Sequence, residues 1–146
     1  MTVVRNKILV AGALAFLFSC SKSPSKQEKP DMYVASELAL LMRTMELEDQ
    51  VIKAQILAEE IQLSYPKAYE LLITAQPTIK GTIDDTYTTF ATAYTESMLA
   101  LKSALGSERQ RAYNQSVKAC VSCHEQFCQL PINRIEKLYI KSTLEK

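Results

Sequence analysis

Residues 84–106 read DDTYTTFATAYTESMLALKSALG, and the placing of their apolar side chains decides what kind of fold the chain builds. Tyr87, Phe90, Tyr94, Met98, Leu101 and Leu105 recur at three- and four-residue spacing. That is one stripe of an α-helix, not the alternation of a strand. Asp84 or Asp85 stands where a carboxylate caps the first free N–H groups, and Gly106 offers a C-terminal stop.

The same period extends in both directions. Downstream, Ser107 and Gln110 have capping-box spacing, and Tyr113, Val117, Cys120, His124 and Phe127 form the next stripe. Pro131 ends or bends that helix, and Ile132, Ile135, Leu138 and Tyr139 make a short amphipathic segment after it. Upstream, Val34, Leu38, Leu41, Met42 and Met45 share a face that Ile52, Ile56 and Leu63 continue, so a first helix is expected to run to about Gln62. Between the two, Ser64 can cap a short second helix with Pro66 in its first turn, Tyr69, Leu72 and Ile73 on its face, and Pro77 with Gly81 ending it. Three Gly, five Pro and no Trp suit a helical chain, and no internal repeat competes. The expectation is an all-α protein: an antiparallel four-helix bundle over residues 31–130, with a C-terminal extension over 131–146.

The start of the chain reads differently. Arg5 and Lys7 precede an uncharged, almost wholly apolar run from Ile8 to Phe18. The run is too short to span a bilayer core of about 30 Å, so residues 1–19 read as a signal peptide. It ends Leu17-Phe18-Ser19-Cys20, which resembles the bacterial lipobox and implies lipidation at Cys20; an ordinary signal peptide with an incidental cysteine is the plainer alternative. Residues 20–30 then hold no apolar side chain able to offset ordering, and read as a tether. An exported protein in the cell envelope or periplasm, lipid-anchored to a membrane, is the expected location.

The chemistry lies in Cys120-Val121-Ser122-Cys123-His124, the C-x-x-C-H of c-type haem attachment. Two thiols three residues apart can each form a thioether with a vinyl group on one porphyrin edge. The next side chain then brings its imidazole under the iron. His124 is the one histidine of the chain, so this axial position has no rival. A redox disulfide is disfavoured because such motifs follow a strand in a thioredoxin-like unit. A Cys₃His zinc site with Cys128 is disfavoured because adjacent Cys123 and His124 chelate poorly from a helix, and an oxidising compartment opposes three thiolates.

With that motif near the end of the last long helix, residues from about Asp31 to Cys128 resemble the class II c-type cytochromes, the cytochrome c′ group. Only the haem motif is highly specific. The resemblance implies a four-helix bundle, one covalent haem c and a sixth-ligand position on the first helix. Low-spin members are similar over Leu38-Ala39-Leu40-Leu41-Met42-Arg43-Thr44-Met45. Met42 then takes the distal position that high-spin members fill with a non-ligating apolar residue, and Met45 a pocket wall or the alternate ligand. Three departures stand out: Phe127 is followed by Cys128 where the family commonly has a basic residue, the second helix is short, and the segment from Pro131 is extra.

Function follows as an expectation. Methionine ligation suits a one-electron carrier that is not an enzyme. A five-coordinate haem protein binding NO or CO is the alternative. A peroxidase-like enzyme is disfavoured: no distal His is left, and Arg43 lies about 100° round the helix from Met42. The formal net charge of +1 gives nucleic-acid binding no support. Residues 31–100 carry 4 basic and 11 acidic side chains, and residues 101–146 carry 8 and 4. The haem-bearing end is thus the positive one and would steer an acidic redox partner, although an ordinary solvated face explains the pattern more simply. Homodimerisation stays open. Cys128, left over once haem and lipid take the other three cysteines, is an unpaired thiol that suggests intermolecular pairing or a reactive site, with a small buried side chain one turn beyond His124 as the favoured reading.

Overall fold

The computed structural model describes residues 34–60, 62, 63, 65 and 68–141. The leader, Cys20 and the tether lie outside the described residues, as do Ser64 and Pro66. The described chain is all-helical, with no strand among its residues. Its helices are α1 (Glu37–Leu57), α2 (Asp85–Ser103), α3 (Glu108–Phe127) and a single turn, α4 (Ile132–Ile135). None of them is long and apolar enough to cross a membrane.

The stripe at 87–101 folds as its spacing requires. Asp84 is extended and its side chain accepts the Tyr87 N–H at 2.7 Å, which starts α2. Tyr87, Ala91, Tyr94, Met98 and Leu101 are buried against Tyr113, Ser116 and Val117 of α3 and Leu38, Leu41, Met45 and Ile52 of α1. Burying each of the large apolar side chains contributes roughly 1.5–3 kcal/mol.

Several boundaries differ from the sequence expectation, each for a local reason. α1 stops at Leu57 instead of continuing to Gln62. Glu59 takes a left-handed conformation (φ 56°), its N–H reaches Ile56 O at 3.1 Å, and the Glu60 N–H reaches Gln55 O at 2.9 Å. These are the two bonds of a Schellman stop. The expected second helix is only a 3₁₀ turn, Ala68–Leu71. Leu72 is buried as expected, but Ile73 is exposed. α2 ends at Ser103, two residues before Leu105, which is consequently exposed, and Gly106 (φ 54°) lies in the following turn. Ser107 forms no capping box: it is already helical (φ −62°, ψ −22°), and turn bonds from Glu108 and Arg109 to Leu105 O and Gly106 O replace the cap.

The segment after Pro131 is part of the core. Ile135, Leu138 and Ile140 are buried. Lys53 Nζ on α1 donates to Lys137 O (2.8 Å) and Tyr139 O (2.9 Å). Asn114 on α3 donates to Ile140 O and accepts from Ile140 N, both at 2.9 Å. Arg134 pairs with Glu46 on α1.

The left-handed Glu59 tests the α1 stop. An L-residue there costs about 1–2 kcal/mol, and glycine avoids that at some cost in chain entropy. Glu59→Gly should therefore raise unfolding stability by roughly 0.5–1 kcal/mol in a denaturant titration. A loss of stability would mean that the helix does not stop there.

Candidate functional site

Three elements position the C-x-x-C-H side chains. Cys120, Cys123 and His124 lie in the last two turns of α3. Phe127, one turn on, packs edge-to-face on Tyr87 (centroids 5.6 Å apart) and Phe90 (6.1 Å), which fixes the end of α3 against the start of α2. The Tyr87 hydroxyl donates to Leu72 O at 3.0 Å, holding the irregular segment to the same corner.

Beside this end of α3 lies a mostly apolar cavity of about 410 Å³, lined by Cys120, Cys123 and His124 together with Met42 and Met45 of α1. All five candidate haem residues therefore share one hollow, whose volume is in the usual range of about 300–1,000 Å³ for a small-molecule or cofactor site. Met45 is buried and Met42 half-buried. One side of the cavity is closed by Pro77, Thr78 and Ile79, stitched to the start of α1 by Leu38 N–Gln76 O (3.0 Å), Gln76 N–Glu37 Oε2 (3.0 Å) and Ser36 Oγ–Thr78 Oγ1 (2.9 Å). Another side is walled by Pro131, Arg134, Ile135 and Leu138. Sequence reasoning took that segment for an appendage, although its apolar spacing was visible.

The titratable groups are tuned by burial. His124 Nδ1 lies 3.1 Å from Cys128 O, and because a carbonyl only accepts, Nδ1 carries the proton and Nε2 keeps its lone pair. Burial lowers the His124 pKa, with the Cys128 bond opposing, which favours the neutral ring. Desolvation pushes the Cys123 thiol up to about 11 and the Cys120 thiol further still. Exchange-active thiols have lowered pKa values, so this pair is poorly suited to thiol–disulfide redox work. All three described cysteines are free, and among the described residues no His, Cys, Asp or Glu side chains converge as a bare metal site. A porphyrin iron needs only axial side chains, and the donors along this cavity are of that kind: an imidazole with a free Nε2 and two thioether sulfurs.

Two positions depart from expectation. Cys128 is exposed instead of buried. α3 ends at Phe127, and Cys128 is extended (φ −160°, ψ 90°), so it no longer continues the helix that carries His124. Asp49, which the sequence reading passed over, is 2% exposed and lines the cavity. Its position was legible: it falls four residues after Met45 and three before Ile52, on the buried stripe of α1.

Compared with known proteins, the chain matches no family model, no curated protein and no solved structure.

The exposure of Cys128 generates a labelling pattern. In folded protein carrying free thiols, a maleimide or iodoacetamide reagent should modify Cys128 at least tenfold faster than Cys120 or Cys123, because Cys128 is exposed while burial keeps the Cys120 and Cys123 thiols protonated. Equal rates, read by peptide mass spectrometry, would contradict the placement of these side chains.

Proposed function

We propose that this protein is a lipid-anchored c-type cytochrome that carries one electron at a time through a haem joined to Cys120 and Cys123, with His124 and Met42 as axial ligands. The observation that carries the reading is the shared cavity: C-x-x-C-H and two first-helix methionines line one apolar hollow. The finer architecture, an antiparallel four-helix bundle of cytochrome c′ type with haem on its last long helix, belongs to the same proposal. It is supported by three long helices with the motif near the end of the third, and the C-terminal segment adds a wall.

When bound, the haem supplies a one-electron iron couple whose potential rises with methionine ligation. The residues supply the rest. Cys120 and Cys123, one turn apart on α3, would hold the group through two thioether bonds. His124 offers Nε2 while Cys128 O holds its Nδ1–H, the outer hydrogen bond that fixes the tautomer and orientation of a ligating histidine. Met42 and Met45 present soft thioethers from one face of α1, and Met42, the less buried of the two, is the preferred ligand by family resemblance. Ile79, Phe127, Ile135 and Leu138 add apolar surface to the lining of the hollow. Such a carrier needs no substrate pocket, only a redox partner protein at the haem edge.

A five-coordinate protein that binds NO or CO is the second reading, because Met42 could also serve only as wall. One set of spectra separates the two. Protein made in a host with haem-ligation machinery should keep its colour through acid–acetone extraction, with a mass one haem above the chain. Extractable haem, or zinc, would end the cytochrome reading. The ferric form should be low-spin, and Met42→Ala should turn it high-spin and open to CO. A wild type already high-spin would favour gas binding, and a spectrum altered only by Met45→Ala would move the ligand to Met45.

The anchor is tested separately. Native protein should partition into detergent, and Cys20→Ala should release it. A wild type found wholly soluble, with another N-terminal residue, would refute lipidation.

A further inference from the structure

One buried group along the cavity has no part in holding a haem. Asp49 is 2% exposed, yet its Oδ1 is a buried atom without a hydrogen-bond partner. The Tyr113 hydroxyl of α3 donates at 3.0 Å to the Asp49 backbone oxygen, and the Tyr94 hydroxyl of α2 draws the carboxyl pKa down. A carboxylate so placed is short of donors, and burying an unpaired charge is costly. The protonated acid avoids that cost, so the state of Asp49 is decided by whatever other charge enters the hollow.

We propose that Asp49 is a redox-linked proton acceptor: reduction of the bound haem draws a proton onto its carboxyl group, and oxidation releases it. The inference rests on the cytochrome reading. Ferric haem adds one more positive charge to the cavity than ferrous haem, and a nearby positive charge favours the carboxylate. When a one-electron donor protein reduces the iron, that charge is lost. The carboxylate then takes a proton from solvent water and forms its O–H bond. One electron and one proton enter together, and both leave on oxidation.

The groups facing Asp49 agree with this role. Burial, with the charge of neighbouring Glu48 adding to it, pushes Asp49 up to about 7, against a downward pull from Tyr94. Tyr94 and Tyr113 are themselves raised by burial and stay protonated near neutrality. Cys120, the third group that faces it from α2 and α3, has no proton to lose once it is a thioether. Glu48 remains as the competing acid; it is only partly buried, and its own pKa is raised by desolvation. On the C-terminal segment the nearest charge lining the cavity is Arg134, already paired with Glu46.

Potentiometric titration of the haem-loaded, full-length protein between pH 5 and 9 tests the inference. The wild-type midpoint potential should fall with rising pH across a window around neutrality, approaching about 59 mV for each tenfold change in proton activity. Asp49→Asn, nearly isosteric, should flatten that window, while Glu48→Gln should leave a slope in place. Tyr94→Phe removes the donor that favours the carboxylate, so its window should move to higher pH without losing its slope. Reduced-minus-oxidised infrared spectra should show a protonated carboxyl band that disappears in Asp49→Asn. If Asn at 49 prevents folding, the Tyr94→Phe displacement and the wild-type infrared band still decide the matter. A pH-independent wild-type potential, or a slope that survives in Asp49→Asn, would overturn the inference while the cytochrome reading stands. Protein that takes up no covalent haem would instead remove the cytochrome reading, and this inference with it.

Discussion

The edge-to-face packing of Phe127 on Tyr87 and Phe90 determines where everything else in the site lies. It pins the last turn of α3 to the first turns of α2, and α3 stops immediately afterwards. With that corner fixed, Cys120, Cys123 and His124 line the same cavity as Met42 and Met45 of α1, and the helix end leaves Cys128 O within hydrogen-bond distance of the His124 ring. A loose end at 127 would free the imidazole to rotate and would open the hollow on the α2 side. The two aromatic contacts are each worth on the order of 0.5–1.5 kcal/mol beyond their burial. Their larger effect is geometric, since a ligating side chain must be held to within about half an ångström.

Sequence pattern specified the long elements well. The 87–101 stripe, the Asp84 cap and the helix carrying the haem motif all follow from spacing and cap chemistry, because those residues obey one local rule at a time. The failures share a different cause. Glu59 adopts a backbone conformation that glycine or asparagine normally announces, so the end of α1 carried no signal. Ser107 has the right side chain for a cap but the wrong backbone angles. The segment around Tyr69, whose apolar residues suggested a helix, spends its hydrogen bonds on turns and on the Tyr87 hydroxyl. Cys128 was assigned to a helix face that ends one residue too early to include it.

The residues that share the cavity were singled out from the sequence, while most of their surroundings were not. The five residues Cys120–His124 stood out as a motif, and the Met42–Met45 face follows from helical period. Asp49 was hidden by its own charge: on the stripe of Leu38, Leu41, Met45 and Ile52 its position is a core position, but a carboxylate is not expected there. Where the walls dock could not be read, because Lys53, Asn114 and Glu46 find their partners some 26 to 88 residues away along the chain.

That last wall has a bearing on timing. Residues 131–140 seal one side of the cavity, and they follow the haem motif in the chain. A chain emerging from its N-terminus exposes Cys120, Cys123 and His124 before the residues that enclose them exist outside the exit channel. A group bound as proposed would enter most easily in that interval, because afterwards Ile135, Leu138 and Ile140 are buried and Lys53 and Asn114 are bonded across the seam. Delivery before closure meets an open hollow. Delivery to a finished chain would first have to undock a segment held by several hydrogen bonds and three buried apolar side chains, so under the proposed reading the order of synthesis would bear on how the site is filled.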